Sequence, residues 1–266
     1  MNTTSGRPLA VVTGASSGIG HALAAEFARN GFDLVVAAED EGISAAAAAL
    51  RDLGATVESV RVDLAEYDGV ERLYGVLRAT GRPADAVAIN AGVGVGGDFA
   101  RDTDLRAELK LIDLNITSAV HLAKRVARDM VERGRGRILF TSSVAATMPG
   151  PFQAVYSASK AFLYSFSEAL REELKDTGVT VTALLPGPTD TRFFERAGML
   201  DTKVATGKKD DPAEVARDGF EALMAGKDHV VAGSLANKLM TGAARLAPET
   251  SKAAANRRLT EPGSAT

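Results

Sequence analysis

The chain has 266 residues, of which 45% are hydrophobic and 24% charged, and its formal net charge is −3. This is the composition of a globular protein, and a slightly acidic chain lacks the basic surface that nucleic-acid binding requires. The absence of cysteine excludes disulfides and thiolate catalysis and favours a cytoplasmic location. Met1 to Pro8 are polar without the pattern of a secretory signal, and no apolar run suits a membrane span, so no membrane partner is expected.

Short β-branched, apolar runs alternate along the chain with stretches whose apolar residues recur at helical spacing. The first two strands are predicted at Leu9–Thr13 and Leu34–Ala38, separated by a helix over Ile19–Asn30. Five more strands are predicted in the same alternation, at Val57–Val62, Ala86–Asn90, Arg137–Ser142, Val179–Leu185 and His229–Ala232. This alternation predicts an α/β fold, a doubly wound, Rossmann-like parallel sheet of about seven strands with helices on both faces.

No proline- and serine-rich linker or charge block divides the chain, so one domain is predicted over residues 1–266. An insertion is expected at about Gly187–Pro212, positioned to close over a ligand. The polar residues Lys252–Thr266 predict a surface helix that frays at the carboxyl terminus. Ligands of such sheets bind beyond the carboxyl ends of the strands, so the site is expected at that rim.

A glycine-rich turn follows the first strand directly and leads into a helix. Its glycines Gly14, Gly18 and Gly20 have the spacing G-x-x-x-G-x-G. Glycine lets the main chain approach a ligand, and the free N–H groups at a helix start attract negative charge, so the turn predicts a pyrophosphate site. A turn that serves only tight packing of strand against helix is the alternative.

Two acidic residues, Glu39 and Asp40, end the second predicted strand about twenty residues after the turn. A carboxylate there accepts hydrogen bonds from the adenosine ribose of NAD and repels the 2′-phosphate of NADP. No arginine or lysine is nearby in sequence to bind that phosphate. Glu39 therefore favours NAD over NADP as cofactor, and a pair of solvated loop acids is the alternative.

Tyr156 and Lys160 lie four residues apart at the start of a predicted helix, so they share one helix face. A neighbouring ammonium favours the phenolate, which lowers the tyrosine pKa and suits proton exchange with an alcohol or carbonyl. Ser142 and Ser143 end the fifth strand, where a hydroxyl reaches the ligand rim and donates to a developing oxyanion. Capping of the strand end is the alternative for these serines.

Together these motifs resemble the short-chain dehydrogenase/reductase family over about residues 8–235. The matching motifs, in family order and spacing, are Thr13-Gly-Ala-Ser-Ser-Gly-Ile-Gly20, Asp63, Asn90-Ala-Gly92, Asn115, Ser143, Tyr156-Ser-Ala-Ser-Lys160 and Pro186-Gly187. The resemblance implies an NAD(P)-dependent oxidoreductase that interconverts a ketone or aldehyde and an alcohol by hydride transfer. The second strand ends in Ala38 and Glu39, where NAD-preferring relatives often have Asp at the first position and NADP-preferring ones Arg at the second.

The resemblance also implies catalytic roles. Tyr156 is similar to the general acid/base of the family, and Lys160 to the residue that binds the nicotinamide ribose and lowers the tyrosine pKa. Ser143, thirteen residues before Tyr156 as is usual in the family, is similar to the hydroxyl that polarises the substrate oxygen. Asn115 is similar to the asparagine that supports a water-linked proton relay to that lysine.

Further cofactor contacts follow from the same resemblance. The residues that resemble the pyrophosphate turn are Gly14, Ser16, Ser17, Gly18, Ile19 and Gly20. Asp63 and Leu64 resemble the adenine-binding position, and Asn90, Ala91 and Gly92 the segment beneath the ribose. The loop that holds the nicotinamide carboxamide is similar to Pro186 and Gly187 with Thr189 or Thr191.

Three rival functions share this fold. A non-catalytic dinucleotide-binding sensor is disfavoured because all four candidate catalytic residues are present. Enoyl reductases of the superfamily have a longer spacing between tyrosine and lysine, and sugar-nucleotide epimerases or dehydratases are longer chains with other glycine spacings. The carbonyl/alcohol oxidoreductase is therefore preferred.

The expected partners are a small-molecule substrate and further copies of the chain. Apolar residues and glycine mix in Val93–Phe99, Met148–Phe152 and Phe193–Leu200, which favours a moderately hydrophobic alcohol or carbonyl substrate, although these segments could equally be satellite core. The three histidines lack metal-ligand spacing, so no metal is expected. An apolar stripe is either core or the interface of a homodimer or homotetramer, as in relatives, and consists of Phe162, Phe166, Leu170 and Leu174.

Overall fold

The computed structural model describes residues 6–234 and 248–265 and contains a seven-stranded parallel sheet. Its strands are β1 (Leu9–Thr13), β2 (Asp33–Ala38), β3 (Val57–Arg61), β4 (Ala86–Ile89), β5 (Gly136–Thr141), β6 (Val179–Pro186) and β7 (His229–Ala232). Their order across the sheet is β3-β2-β1-β4-β5-β6-β7, so the winding reverses between β1 and β4 and opens a crevice there. The predicted α/β class is confirmed, and each predicted strand end lies within one residue of the observed one.

Helices connect the strands on both faces of the sheet. They are α1 (Gly18–Arg29), α2 (Gly42–Asp52), α3 (Tyr67–Ala79), α4 (Leu105–Ile112), α5 (Ser118–Arg133), α6 (Ala154–Leu174), α7 (Phe193–Arg196), α8 (Lys203–Thr206), α9 (Pro212–Met224) and α10 (Glu249–Thr260). Local sequence explains several ends: the Asp104 and Asp211 side chains cap α4 and α9, and Gly134 ends α5 in a left-handed conformation. In the described part of the chain, no helix is both long and apolar enough to cross a bilayer.

The core consists of two clusters, one on each face of the sheet, as strand geometry requires. In β1, Val11 contributes to one cluster, while its neighbours Ala10 and Val12 contribute to the other. The first cluster includes residues of α3, α5 and α6, and the second includes residues of α1, α2 and α9. Because both faces are covered, the central strands are buried along their whole length, which explains their unbroken apolar runs. One sheet with two covered faces makes a single domain.

The insertion predicted at about Gly187–Pro212 contains α7 and α8, and a bridge between Thr189 and Asp210 closes its base. Its small apolar cluster consists of Phe194, Ala197, Met199 and Ala205. The insertion is therefore an ordered loop with its own packing, which lies beyond the carboxyl end of β6.

The carboxyl-terminal helix differs from the fraying surface helix that the sequence predicts. It begins at Glu249, three residues before the predicted start, and its Asn256 and Thr260 are buried. Asn256 Nδ2 donates to the carbonyl oxygen of Pro149 at 2.9 Å, and Thr260 Oγ1 donates to that of Pro151 at 2.8 Å. These long-range contacts anchor the helix, and a sequence pattern cannot display them. The final residue of the predicted segment, Thr266, lies outside the described residues.

Candidate active site

The glycine-rich turn forms a cradle between β1 and α1. Gly14 and Gly18 have φ angles of +67° and +58°, a backbone conformation that residues with a side chain rarely adopt. A Cβ atom on Gly20 would lie 2.2 Å from the carbonyl oxygen of Gly14, so this approach of main chain to main chain requires glycine. Ser17 precedes α1 without a capping hydrogen bond from its side chain, which leaves the first N–H groups of the helix for a ligand. The cradle fits a pyrophosphate.

Hydrogen bonds tie the ends of β1, β4 and β5 together at the crevice. Thr13 Oγ1 accepts hydrogen bonds from the backbone N–H groups of Asn90 and Ala91, both at 2.9 Å. Asn90 Nδ2 donates to the Thr13 carbonyl oxygen at 3.0 Å, and Asn90 Oδ1 accepts from Thr141 Oγ1 at 3.0 Å. The Asn90 side chain therefore holds the three strand ends in register beside the cradle.

Asp63, predicted to bind the adenine, lies at one end of the crevice in an ion-pair network. Its Oδ1 accepts from the Ala65 N–H at 2.9 Å, and its Oδ2 lies 3.0 Å from Nζ of Lys110. Burial alone raises the pKa of Asp63, but the Ala65 N–H and the Lys110 ammonium outweigh burial and hold that pKa below its ordinary value. Lys110 Nζ also lies 3.4 Å from Glu39 Oε2, so one lysine bridges two predicted adenosine-site acids.

Cations surround Glu39 and Asp40 in space, although the sequence places none beside them. Besides Lys110, Arg61 Nε donates to the Glu39 carbonyl oxygen at 3.2 Å, and Arg196 of α7 lies 3.9 Å from Asp40 Oδ2. Cations are therefore absent near Glu39 only along the sequence, and the folded chain brings Lys110 and Arg61 to it. These side chains come from β3, α4 and α7, which only the fold brings to the end of β2.

Lys160 is buried on the inner face of α6, with 5% of its surface exposed. Its Nζ donates to the Thr141 carbonyl oxygen at 2.9 Å and lies 5.7 Å from the centre of the Tyr156 ring. Burial lowers the pKa of Lys160 from 10.5 to about 8, because desolvation penalises the charged form. The predicted helical spacing does bring the ammonium and the phenol together, since α6 begins at Ala154 and includes both residues.

The pKa of Tyr156 is raised, whereas the sequence predicts that the neighbouring lysine lowers it. Burial raises the pKa of Tyr156 from 10.0 to about 12, and the hydrogen bond with Ser143 opposes this rise only in part. Its ring packs against that of Phe193, with centres 5.0 Å apart. In this state the phenol is protonated at neutral pH, which is the form that donates a proton.

The structure separates the two serines at the end of β5. Ser142 Oγ donates to the Lys160 carbonyl oxygen at 2.7 Å inside the core and therefore fastens α6 to the sheet. Ser143 Oγ accepts from the Ala145 N–H at 3.1 Å and forms the hydrogen bond with Tyr156. Ser143 is thus the serine at the candidate reacting centre.

We expect Ser143→Ala to lower kcat/KM about 10²–10³-fold, because a donor to the developing oxyanion is removed, and to lower the free energy of unfolding by about 1 kcal/mol, because the Ala145 N–H loses its acceptor. We expect Ser142→Ala to lower the free energy of unfolding by about 1–3 kcal/mol, because the Lys160 carbonyl oxygen loses its buried donor, while kcat changes little. Denaturant unfolding and steady-state kinetics on both variants check this contrast. Equal kinetic losses in the two variants would contradict the assignment of Ser143.

Asn115 lies on a π-helical turn, Asp113–Thr117, between α4 and α5. Its Oδ1 accepts from the Val93 N–H at 2.9 Å, and its Nδ2 lies 3.0 Å from both the Val93 carbonyl oxygen and Ser159 Oγ. A Cβ on Gly92 would lie 3.1 Å from Asn115 Oδ1 and 3.2 Å from Lys160 Nζ. Sequence reasoning missed Ser159, although it lies within the motif from Tyr156 to Lys160.

The predicted carboxamide loop passes over the glycine cradle. Thr189 Oγ1 donates to the Gly187 carbonyl oxygen at 2.9 Å, and Thr191 Oγ1 accepts from the Phe193 N–H at 3.2 Å. A Cβ on Gly18 would lie 3.0 Å from Cγ2 of Thr191, so the loop and the turn are in near contact. The insertion therefore roofs the crevice above the cradle.

One continuous cleft joins the predicted site residues, except for Asn115, which is buried behind its wall. The predicted residues that line this cleft are Gly14, Ser16, Ser17, Gly18, Ile19, Gly20, Glu39, Asp63, Leu64, Asn90, Ala91, Gly92, Ser143, Tyr156, Lys160, Pro186, Gly187, Thr189 and Thr191. Lining residues that sequence reasoning missed are Gln153, Val204, Asn256, Leu259 and Thr260. Of the predicted pocket segments, Met148 and Phe193 line the cleft, whereas Phe99 and Leu200 are exposed.

His229 has acidic neighbours that spacing along the sequence did not indicate. A carboxylate oxygen of Glu168, a carboxylate oxygen of Asp228 and a ring nitrogen of His229 lie within 4.8 Å of one another. Asp228 is exposed, and its Oδ2 lies 2.9 Å from Nδ1 of His229, so a surface hydrogen bond accounts for this contact. Glu168 comes from α6, which is why spacing along the chain did not reveal it.

A phosphate cradle at the switch point of a parallel sheet, beside a buried serine, tyrosine and lysine, defines a dinucleotide-dependent oxidoreductase. The family model described as short chain dehydrogenase matches residues 8–199. An uncharacterized oxidoreductase of Myxococcus xanthus is 40% identical over 182 residues, 67% of this chain and 70% of that protein. The chain belongs to the short-chain dehydrogenase/reductase family, enzymes that act on CH–OH groups with NAD(P).

Solved structures agree with this assignment. A short-chain dehydrogenase from Sphingobium yanoikuyae in complex with NADPH is 34% identical, with a TM-score of 0.78 over 84% of this chain and 87% of that one. A short-chain dehydrogenase/reductase from Burkholderia phymatum in complex with NAD is 26% identical, with a TM-score of 0.80 over 90% and 92% of the two chains. The cofactor is therefore a nicotinamide dinucleotide.

Proposed function

We propose that this enzyme interconverts a neutral, moderately hydrophobic ketone or aldehyde and its alcohol, with Tyr156 as the general acid/base. The observation that carries the proposal is the meeting of Ser143, Tyr156 and Lys160 at the strand rim, in the same cleft as the glycine cradle. The apolar walls near Tyr156, which include Met148 and Phe193, support a substrate without charge.

The side chains have separate tasks in this mechanism. The nicotinamide dinucleotide, when bound on the cradle, supplies or accepts the hydride. In reduction, the Ser143 hydroxyl orients the carbonyl oxygen and the Tyr156 phenol donates a proton to it. In oxidation, the phenol first releases its proton to solvent, and the phenolate oxygen of Tyr156 then accepts the proton of the alcohol. The Lys160 ammonium, 5.7 Å from the centre of the Tyr156 ring, is proposed to stabilise the phenolate left after proton donation, while burial keeps the pKa of the resting phenol at about 12.

Asn115 is proposed to support the proton path behind the lysine. Its Oδ1 and Lys160 Nζ both approach Gly92, so a water between them would have an acceptor and a donor. Asn115 also holds the main chain of Val93 through both of its amide atoms. It is a positioning residue and does not itself contact the substrate.

The proposed reaction is tested by assaying the purified enzyme on neutral methyl and aryl ketones with NADH and with NADPH. We expect oxidation of the reduced cofactor with at least one class of ketone, and the reverse reaction with the matching alcohol. Cofactor binding without turnover of any ketone, aldehyde or alcohol would contradict the proposal.

NAD is proposed as the preferred cofactor because the adenosine end of the cleft has two carboxylates, Glu39 and Asp40. The Asp40 carboxylate also accepts a hydrogen bond from Ser16 Oγ at 2.7 Å, which keeps negative charge beside the cradle. A 2′-phosphate would be repelled by these carboxylates and would have to compete with them for Lys110 and Arg196, whereas a ribose hydroxyl donates to the acids directly.

We expect NADH to bind more tightly than NADPH. We expect Glu39→Gln to reduce the ratio of the two dissociation constants about 10-fold, which corresponds to about 1.4 kcal/mol. Fluorescence titration with each cofactor measures both dissociation constants. Glu41→Gln is the matched control, because the Glu41 side chain is 84% exposed and forms an ion pair with Arg61 at 2.9 Å. Tighter binding of NADPH by the unchanged protein would overturn the preference for NAD.

A homodimer or homotetramer is proposed through the face formed by α4 and α6. Within the predicted stripe, Leu174 is buried and Phe166 and Leu170 pack against the core, so most of the stripe is core. Phe162 is 39% exposed, and its ring stacks on Phe166 with centres 5.8 Å apart. On α4, which packs against α6, Leu105 is 66% exposed. These exposed apolar side chains support association through this face.

A further inference from the structure

The carboxyl-terminal helix α10 presents one face to the cleft that contains Tyr156. Asn256, Leu259 and Thr260 have the spacing of neighbours on a helix surface, and all three line the cleft. Asn256 and Thr260 are buried, whereas Leu259 remains 40% exposed and has apolar surface left to cover. The helix therefore supplies a wall of the cleft with one free apolar contact.

The same face holds the loop that connects the candidate catalytic residues Ser143 and Tyr156. Asn256 and Thr260 donate to the carbonyl oxygens of Pro149 and Pro151, as described above. The next residue, Phe152, has a φ of +59°, a left-handed conformation that is costly for a bulky side chain. Its carbonyl oxygen accepts from the Gly97 N–H at 2.9 Å, and the Arg257 guanidinium lies 5.1 Å from its ring centre. Contacts on both sides maintain this strained loop.

The segment after α10 is joined to the insertion that roofs the crevice. The Gly263 N–H donates to Asp201 Oδ2 at 2.7 Å, and the Ala265 N–H donates to the Asp201 carbonyl oxygen at 3.0 Å. The Lys203 N–H donates to Ser264 Oγ at 3.1 Å. The helix is thus fixed to the loop on one side of the cleft and to the insertion on the other.

We propose that α10 is a specificity-determining wall, in which Leu259 contacts the non-reacting apolar body of a bulky, neutral ketone or alcohol. Asn256 and Thr260 are positioning residues that act through the strained loop at Phe152. This inference rests on the proposed ketone and alcohol activity. It states which side chain contacts the part of the substrate that lies away from the reacting carbon. Small substrates that do not reach Leu259 gain nothing from the wall.

The first experiment measures KM and kcat for methyl ketones from butanone to decanone with Leu259→Ala and the unchanged protein. We expect KM to rise about 10-fold for the longest ketone and less than about 2-fold for butanone, with kcat nearly unchanged, since apolar burial alone is lost. Leu53→Ala is the matched control, because Leu53 is 39% exposed at the end of α2 and outside the cleft. A rise in KM independent of chain length, or one shared by Leu53→Ala, would overturn the proposal.

The second experiment needs no turnover. Prodan, a neutral naphthyl ketone whose emission reports its surroundings, is titrated into the complex with oxidised NAD, which cannot reduce it. We expect Leu259→Ala to weaken Prodan binding about 10-fold and Thr260→Val about 3-fold, with unchanged affinity for NADH. Thr177→Val is the control for Thr260→Val, because Thr177 Oγ1 likewise donates to a backbone carbonyl oxygen, that of Leu174, but lies outside the cleft.

The two experiments separate the failures of the two proposals. If no ketone is turned over but Leu259→Ala weakens Prodan binding, the wall stands and the proposed reaction fails. If ketones are turned over but Leu259→Ala changes neither KM nor Prodan affinity, the wall is wrong and the proposed reaction stands.

Discussion

Replacing Tyr156 with phenylalanine is expected to lower kcat/KM for ketone reduction about 10²–10⁴-fold, the usual contribution of a general acid. The substitution removes only the hydroxyl, so the ring contact with Phe193 is retained. Burial raises the pKa of this phenol to about 12, so the hydroxyl is protonated throughout the neutral range and is available as the acid. We expect the affinity for NADH to stay within about 2-fold, because the cradle is untouched.

Steady-state kinetics and NADH fluorescence titration on Tyr156→Phe measure the two effects separately. Tyr67→Phe is the matched control, because Tyr67 is 65% exposed at the start of α3 and outside the cleft. A folded Tyr156→Phe protein with full turnover would exclude Tyr156 as the proton donor and would leave the family assignment in place.

Replacing Lys160 with methionine is expected to stabilise the protein and abolish its activity. Burial lowers the pKa of Lys160 from 10.5 to about 8. Below about pH 8 the buried charge therefore lowers the free energy of unfolding by about 3 kcal/mol. Methionine has a similar length and carries no charge, but it cannot donate to the Thr141 carbonyl oxygen, so we expect a net gain of about 2 kcal/mol at neutral pH. We expect kcat/KM to fall at least about 10²-fold, because the ammonium beside Tyr156 is lost.

The pH dependence of this gain has a definite sign. Between about pH 8 and 10.5 the folded protein has released the Lys160 proton, whereas the unfolded chain still binds it. The unfolding free energy of the unchanged protein therefore rises with pH through this window, relative to Lys160→Met, and the advantage of the variant shrinks. Denaturant unfolding of both proteins near neutral pH and near pH 10 measures the difference, in which the titrations of all other groups cancel. A variant less stable than the unchanged protein at neutral pH would contradict a desolvated ammonium at this position.

The sequence alone determined the fold class and the positions of the strands. Buried parallel strands consist of apolar, β-branched residues, so strands such as Leu9–Thr13 can be predicted from their own residues alone. The cradle was equally legible, because its glycines are required by backbone angles and close approaches that lie within one strand–turn–helix unit. The helical spacing of Tyr156 and Lys160 placed them side by side for the same local reason.

Tertiary structure decided the properties that depend on residues distant in sequence. The pKa of Tyr156 follows from burial beneath several elements, so local spacing predicted the wrong direction. Lys110 and Arg196 approach Glu39 and Asp40 only because α4 and the insertion fold over the end of β2. The anchoring of α10 likewise depends on single hydrogen bonds, such as that from Thr260 to Pro151, which leave no periodic pattern in the chain. Backbone conformation and burial are determined by the residues of short segments. The pKa values, the ion pairs and the walls of the cleft depend on contacts between segments that are distant in sequence.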